Sequence, residues 1–120
     1  MDYRMGAAET RFAEIIWANA PVASGELVKL SAETLGWKKS TTYTVLRRLC
    51  EKGLFRNENG AVTVLVDKAS YEEGQSRQFV RESFGGSLPA FLAAFTARKK
   101  LTEKEIAGLQ RLIDEAKEGD

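Results

Sequence analysis

The sequence predicts a mainly α-helical protein with one small β-hairpin, built as a winged helix-turn-helix domain followed by C-terminal helices. Three amphipathic helical patterns follow one another within residues 7–53. An Asn-Gly pair then separates two β-rich runs within residues 54–66, which is the strongest short signal of a hairpin. Three further helical patterns complete the chain. We therefore expect two regions, residues 1–66 with the winged domain and residues 67–120 with the C-terminal helices.

The composition excludes several classes of protein. The 120 residues contain no histidine and a single cysteine, Cys50. Without histidine there is no Ser–His or Cys–His nucleophile pair, and one cysteine forms neither a disulfide framework nor a multi-cysteine zinc site. The longest apolar run, residues 89–95, is far shorter than the about 20 residues of a membrane-spanning helix. We therefore expect a cytoplasmic protein that is not an enzyme and holds no metal or cofactor.

The first two helical patterns supply a core. The residues that share one face of the first helix, at helical spacing, are Phe12, Ile15, Ile16 and Asn19. Pro21 ends that helix because proline cannot continue it. Ser24 is the predicted N-cap of the second helix, and Gly36 is the residue predicted to end it.

The third pattern has one apolar side and one polar side. Ser40 is predicted to cap this helix and Gly53 to end it. The apolar side consists of Thr42, Val45, Leu46, Leu49 and Cys50. The position of Cys50 on that side favours a buried, unreactive thiol.

The polar side of the third helix is rich in groups that bind DNA. Residues 38–56 contain six basic residues and one acidic residue, a net charge of +5, although the whole chain carries only +1. Lysine, arginine, serine, threonine and tyrosine contact phosphates or base edges in the major groove. We predict that residues 1–66 bind DNA through Lys38, Lys39, Ser40, Thr41, Tyr43, Thr44, Arg47, Arg48 and, in the wing, Arg56.

Arg47 is the main candidate for a base contact, since arginine to guanine is the commonest specific pairing. It could instead pair with Glu51, four residues later on the same helix. Threonines at a helix start are also common caps, and a winged-helix module could use this basic face to bind an acidic protein. DNA binding and protein binding therefore both remain open.

The region after residue 66 predicts helices that need a partner. Capping-box patterns begin at Ser70 and Thr102, and Ser87 is predicted to cap the helix between them. These short helices expose more apolar surface than they can bury among themselves, and a symmetric homodimer is the commonest solution. We predict dimerisation through Phe79, Phe84, Leu88, Phe91, Leu92, Phe95, Ile106, Leu109, Leu112 and Ile113.

Four stretches of the sequence match the motifs of one known family. Residues 8–17 are similar to an A-E…I-x-W first helix, and residues 37–53 to W-S-P-K-T-x-x-T-L-L-x-R-L-x-K-K-G. Residues 79–86 are similar to F-x-x-x-x-Y/F-x-G, and residues 101–106 to L-S-x-x-E-I. The chain thereby resembles the penicillinase and methicillin-resistance repressors, the BlaI/MecI family.

The resemblance implies a dimeric winged-helix repressor that binds a palindromic operator and responds to a sensor-protease. It also implies inactivation by cleavage of an Asn-Phe bond, whose counterpart here is Ala94–Phe95, with alanine in place of asparagine. Lys38 and Lys39 replace the serine and proline of the signature, and Tyr43 stands where a basic residue is common. We therefore expect an operator sequence of its own.

Overall fold

A computed structural model describes residues 3–118, which form six helices and three short strands. The elements are α1 (Ala7–Asn19), β1 (Val22–Ala23), α2 (Ser24–Leu35), α3 (Lys39–Glu51), β2 (Phe55–Glu58), β3 (Ala61–Val64), α4 (Lys68–Phe84), α5 (Leu88–Phe95) and α6 (Glu103–Glu118). The predicted order of three helices, a hairpin and three helices is confirmed. Strand β1 was not predicted.

The first three helices and the hairpin enclose one apolar core. Phe12 and Ile16 of α1, Leu27 of α2 and Leu49 of α3 are fully buried. Their burial follows from the 3.6-residue period, which places each apolar series on one side of its helix. The prediction that Phe12, Ile15, Ile16 and Asn19 share one face of α1 is confirmed for Phe12 and Ile16, whereas Ile15 is half-buried and Asn19 is exposed.

Two tryptophans pack at the edge of this core. Trp17 packs against Phe55 and Tyr71, with ring centroids 5.5 and 5.4 Å apart. Its indole N–H donates to the carbonyl oxygen of Val66 over 2.9 Å, so the polar atom of this large side chain is paired. Trp37 lies 5.3 Å from Phe12 by ring centroids.

Helix α3 buries the side that its sequence predicts. The buried residues are Thr42, Val45, Leu46 and Leu49, and Cys50 lies half-buried beside them. Thr42, although polar, is fully buried because its hydroxyl donates to the carbonyl oxygen of Lys38 over 3.3 Å.

Two predicted N-caps are wrong by one or two residues. Helix α3 begins at Lys39 after Lys38, so Ser40 lies inside the first turn instead of capping it. Helix α2 begins at Ser24 itself, after Ala23 as its N-cap. The predicted helix ends at Gly36 and Gly53 are confirmed, since α2 ends at Leu35 and α3 at Glu51. Gly36 adopts the left-handed φ of 69° that favours glycine.

The three strands form an antiparallel sheet in the order β1-β3-β2. Asn59 and Gly60 have φ angles of 51° and 83°, as the two central residues of a type I′ hairpin require, so the predicted hairpin is confirmed. On its other edge β3 pairs with β1, placing Val22 opposite the fully buried Val62. The segment between α1 and α2 therefore anchors the hairpin to the helices.

The structure divides into two compact units between Gln78 and Phe79, within α4. The functional boundary predicted at residue 66 stays a prediction. Helix α4 begins at Lys68, where Asp67 Oδ1 accepts the backbone N–H of Ser70 over 2.7 Å. The prediction that Ser70 caps this helix is therefore wrong. The hydrogen bonds from Ser70 lower the pKa of Asp67, because they stabilise its carboxylate.

The second unit contains α5, α6 and the end of α4. The rings of Phe79, Phe84, Phe91 and Phe95 contact one another, with centroids 5.5 to 6.0 Å apart. The predicted cap of α5 is confirmed, since Ser87 Oγ accepts the N–H of Ala90 over 3.1 Å. So is the capping box of α6, in which Thr102 and Glu105 exchange two hydrogen bonds of 2.8 and 3.1 Å.

One buried hydroxyl predicts a stabilising substitution. Ser31 of α2 is fully buried, and its Oγ has no hydrogen-bond partner in the part of the chain that is described. Burying an unpaired hydroxyl is unfavourable, so we expect Ser31→Ala to raise the free energy of unfolding by about 1 kcal/mol in urea denaturation.

The matched control is Ser76→Ala, at an exposed helical serine of α4. It should change the free energy of unfolding by less than about 0.5 kcal/mol. A less stable Ser31→Ala protein would contradict the assignment of an unpaired hydroxyl.

Candidate nucleic-acid interface

The outer side of α3 presents a row of four exposed residues. Ser40, Thr44, Arg47 and Glu51 follow one another at intervals of three or four residues and so lie on one side of the helix. Thr44 donates its hydroxyl proton to the carbonyl oxygen of Ser40 over 2.9 Å. Its oxygen lone pairs therefore face solvent as hydrogen-bond acceptors, whereas Arg47 offers donors.

Four cations on or next to this row have no carboxylate partner in the part of the chain that is described. Lys38, Lys39, Arg47 and Arg48 are exposed. Within residues 3–118 no carboxylate lies within 4.0 Å of any of them. The pair between Arg47 and Glu51 that the sequence left open is thus not formed. These charges are available to a ligand.

The first turn of α3 adds hydrogen-bond donors to these charges. Lys38, Lys39, Ser40 and Thr41 are all exposed there. The first N–H groups of a helix have no intrahelical acceptor, and the positive end of the helix dipole lies at the same place. Backbone amides, two hydroxyls and two ammonium groups therefore converge on a surface suited to phosphate.

The wing carries less free charge than α3. Arg56 of β2 is exposed, and its Nη1 lies 3.4 Å from Oε1 of Glu58 on the same strand. Such an exposed pair is weak, so it neutralises Arg56 without fixing it. Near the turn, Asn57 Oδ1 accepts the backbone N–H of Gly60 over 3.1 Å.

A cleft of about 340 Å³ lies between α3 and β2. Its lining consists of Tyr43, Leu46, Arg47, Cys50 and Asn57. Tyr43 is half-buried on the flank of α3 and packs against the core, so it is a less exposed contact than its position in the sequence predicts. Its hydroxyl lies 3.4 Å from Ser24 Oγ.

Cys50 is half-buried in this cleft, where the sequence predicted a buried thiol. Burial raises the pKa of Cys50, because loss of solvent disfavours the thiolate. The neutral thiol is a poor nucleophile, so the structure favours a packing role for this residue.

Sequence reasoning missed two residues of this region. Asn57 lines the cleft and holds the hairpin turn, and Ser24 contacts both Tyr43 and the wing. The pattern Asn-x-x-Gly was a signal for the first, since asparagine accepts hydrogen bonds in turns. The local pattern at Ser24 predicted only an N-cap, because its partners Tyr43 and Gly60 are distant in sequence.

The second unit contains an apolar groove of about 370 Å³ between α5 and α6. Its lining consists of Phe91, Leu92, Phe95, Leu101, Glu105, Gly108, Leu109 and Leu112. Around it, large side chains are 50 to 63% exposed, namely Phe79, Leu88, Phe95, Ile106, Leu112 and Ile113. The other predicted dimerisation residues, Phe84, Phe91, Leu92 and Leu109, are half-buried. An apolar surface of this kind marks an interaction site.

The bond between Ala94 and Phe95 lies in the last turn of α5, and both residues are exposed. The backbone there is still helical, since the N–H of Thr96 donates to the carbonyl oxygen of Leu92 over 3.0 Å. Throughout the described residues, every helix is too short or too polar to cross a bilayer. Over the same residues no cluster of three or more cysteine or carboxylate side chains is suited to a metal ion.

Comparisons with known proteins identify similar sequences along almost the whole chain. Residues 5–115 match the family model described as penicillinase repressor. The chain is 29% identical over 114 residues to the penicillinase repressor of Bacillus licheniformis, covering 92% of this chain and 89% of that protein. It is 22% identical over 116 residues to the methicillin resistance regulatory protein MecI of Staphylococcus aureus, covering 93% and 94%.

Proposed function

This chain belongs to the penicillinase repressor family and is a repressor of transcription rather than an enzyme, and we propose that it acts by binding a palindromic DNA operator as a homodimer. The observation that carries the proposal is the outer side of α3, where Ser40, Thr44 and Arg47 form an exposed row beside cations with no carboxylate partner among the described residues.

The dimensions and chemistry of α3 support its insertion into the major groove. A helix with its side chains is about 10–12 Å across, and the groove is about 12 Å wide. The short side chains of Ser40 and Thr44 allow the backbone to approach the bases. Arg47 would then reach the O6 and N7 atoms of guanine, for which its two parallel donors are suited.

Phosphates on either side of the groove are the proposed partners of the remaining cations. Lys38 and Lys39, with Ser40 and Thr41, would hold one phosphate at the start of α3. Arg48 and the wing residue Arg56 would contact neighbouring phosphates. These contacts fix the position of the helix on the duplex and supply most of the affinity.

The exposed apolar surface of the second unit supports the homodimer. Half-exposed phenylalanine, leucine and isoleucine side chains on α5 and α6 would be buried against the same residues of a second copy. A two-fold dimer presents two α3 helices. Its operator would therefore contain two related half-sites about one helical turn, roughly 10 base pairs, apart or a multiple of that spacing.

The family resemblance supports a sensor-protease as a second partner. The Ala94–Phe95 bond is exposed at the end of α5. A cut there would separate α6 (Glu103–Glu118) from the rest of the second unit. Losing this helix would remove one side of the apolar groove, so dimerisation and operator binding would be lost together.

The first test concerns the proposed base contact. We expect Arg47→Ala to weaken operator binding by about 1–3 kcal/mol and to relax specificity at one base pair. Fluorescence anisotropy with the DNA upstream of the chain's own gene, and with random DNA, measures both.

Arg77→Ala, at an exposed arginine of α4 that pairs with Glu73, is the matched control and should leave affinity unchanged. An equal loss of affinity for both DNAs would make Arg47 a phosphate contact. If the wild-type protein binds acidic proteins but no DNA, the proposed function is wrong and protein binding takes its place.

The second test concerns the phosphate contacts at the start of α3. We expect the double substitution Lys38→Ala and Lys39→Ala to reduce the slope of log affinity against log salt concentration by roughly two. The control substitutes Lys99 and Lys100, two consecutive exposed lysines between α5 and α6. A slope unaffected by the first pair would remove it from the interface.

The third test concerns the homodimer. Ile106 and Ala107 are adjacent exposed residues of α6, and only Ile106 lies on its apolar side. We expect Ile106→Asp to weaken self-association roughly tenfold or more, because it buries a carboxylate in an apolar interface, whereas Ala107→Asp should not. Sedimentation equilibrium measures the dissociation constants. A monomeric wild-type protein at micromolar concentration would contradict the dimer.

A further inference from the structure

The turn of the wing is attached to the start of α2. The backbone N–H of Ser24 donates to the carbonyl oxygen of Gly60 over 2.8 Å. Just before it, Ala23 of β1 lies opposite Ala61 of β3. The Ser24 side chain is buried, 8% exposed, and a Cβ on Gly60 would lie 3.6 Å from its Oγ. The serine therefore binds the turn through its backbone N–H, and its side chain lies close to the space beside Gly60.

The same serine contacts α3. Ser24 Oγ and the Tyr43 hydroxyl lie 3.4 Å apart, a long hydrogen bond in which either oxygen can be the donor. Tyr43 and Arg47 are one turn apart on α3 and both line the cleft, with Asn57 of β2 across from them. Gly60 at the wing turn therefore has two backbone hydrogen bonds, since its N–H donates to Asn57 Oδ1 and its carbonyl oxygen accepts from the Ser24 N–H.

We propose that Ser24 is a positioning residue that couples the turn of the wing to α3 through the Tyr43 hydroxyl. The inference rests on the proposed function, since its consequence is that the coupling sets how Tyr43 and Arg47 meet DNA. Buried hydroxyls are usually hydrogen-bonded, and Tyr43 is the hydroxyl partner of Ser24. Without the bond, the core packing of Tyr43 and of the wing persists, but Ser24 no longer fixes the position of the Tyr43 hydroxyl relative to the wing turn.

This role affects discrimination between sequences more than total affinity. The cations at the start of α3 lie outside the coupled group, so phosphate contacts with any DNA persist when the bond is removed. Base contacts from the flank of α3 depend on the exact placement of Arg47. Loss of the bond should therefore lower the ratio of operator to random-DNA affinity by roughly two- to tenfold, the effect of one hydrogen bond.

The first experiment needs no DNA. Tyr43→Phe removes the hydroxyl and keeps the ring, so ring-current effects are retained. Amide NMR spectra should show altered shifts for Ser24 and Gly60, and hydrogen exchange of the Ser24 N–H should accelerate by roughly two- to tenfold. Tyr71→Phe is the matched control, at another half-buried tyrosine that packs on the same core beside Trp17. Identical Ser24 and Gly60 amides in the Tyr43→Phe and wild-type proteins would overturn the coupling.

The second experiment measures affinity for operator and random DNA. Ser24→Ala should lower the affinity ratio, and adding Ser24→Ala to Tyr43→Phe should lower it no further, because Tyr43→Phe has already removed the bond. Ser24→Thr, which keeps a hydroxyl, should restore part of the ratio. Ser31→Ala, at a buried serine of the same helix, is the control and should leave the ratio unchanged.

The two experiments separate the two proposals. If the wild-type protein binds operator and Ser24→Ala distinguishes operator from random DNA as well as Ser31→Ala does, the coupling is overturned. The proposed function is then unaffected. If Tyr43→Phe alters the Gly60 amide shift but the wild-type protein binds no DNA, the coupling between Ser24 and Tyr43 is supported. The proposed function and the role of Ser24 in DNA binding are then overturned. Additive losses in the double variant contradict a shared bond.

Discussion

The burial of one side of α3 determines where the candidate DNA contacts on that helix lie. Val45, Leu46 and Leu49 are removed from water against α1, α2 and β2, and Thr42 joins them by satisfying its hydroxyl within the helix. Burial of three such side chains contributes several kcal/mol, on the order of 1.5–3 kcal/mol each. A rotation of α3 about its axis would forfeit this energy, so the exposed row is held outward by packing rather than by its own interactions.

The cations of α3 differ in their pairing from two lysines elsewhere in the first unit. Lys52 contacts Glu9, and Lys68 lies 3.9 Å from Glu14, so these cations join elements of the fold. Lys38, Lys39, Arg47 and Arg48 have no such partners among the residues described. A nearly neutral protein can thus present a strongly positive local surface, because phosphate responds to the nearby field more than to net charge.

The sequence correctly predicted the features that depend on residues close together in the chain. The periods of α1 to α6, the Asn59-Gly60 turn and the caps at Ser87 and Thr102 all depend on neighbours within four residues. Strand β1 could not be predicted, since two residues carry no period, and its pairing with β3 spans about forty residues of chain. The prediction of the α4 cap was wrong for another reason. Asp67 and Ser70 are both good N-cap residues, and only the structure shows that Asp67 is the one used. Tyr43 was assigned by helical phase alone, which ignores the contact with Ser24 across the fold.

The position of β2 has a consequence for solubility. In the order β1-β3-β2 this strand is at an edge of the sheet, and it bears Arg56 and Glu58 as exposed charges of opposite sign. Exposed strand edges recruit strands of other molecules, and charged side chains on them oppose such aggregation. The charged side chains of the wing therefore protect the unpaired backbone edge of β2. Apolar side chains in their place would allow strands of other molecules to stack on this edge, as in a fibril.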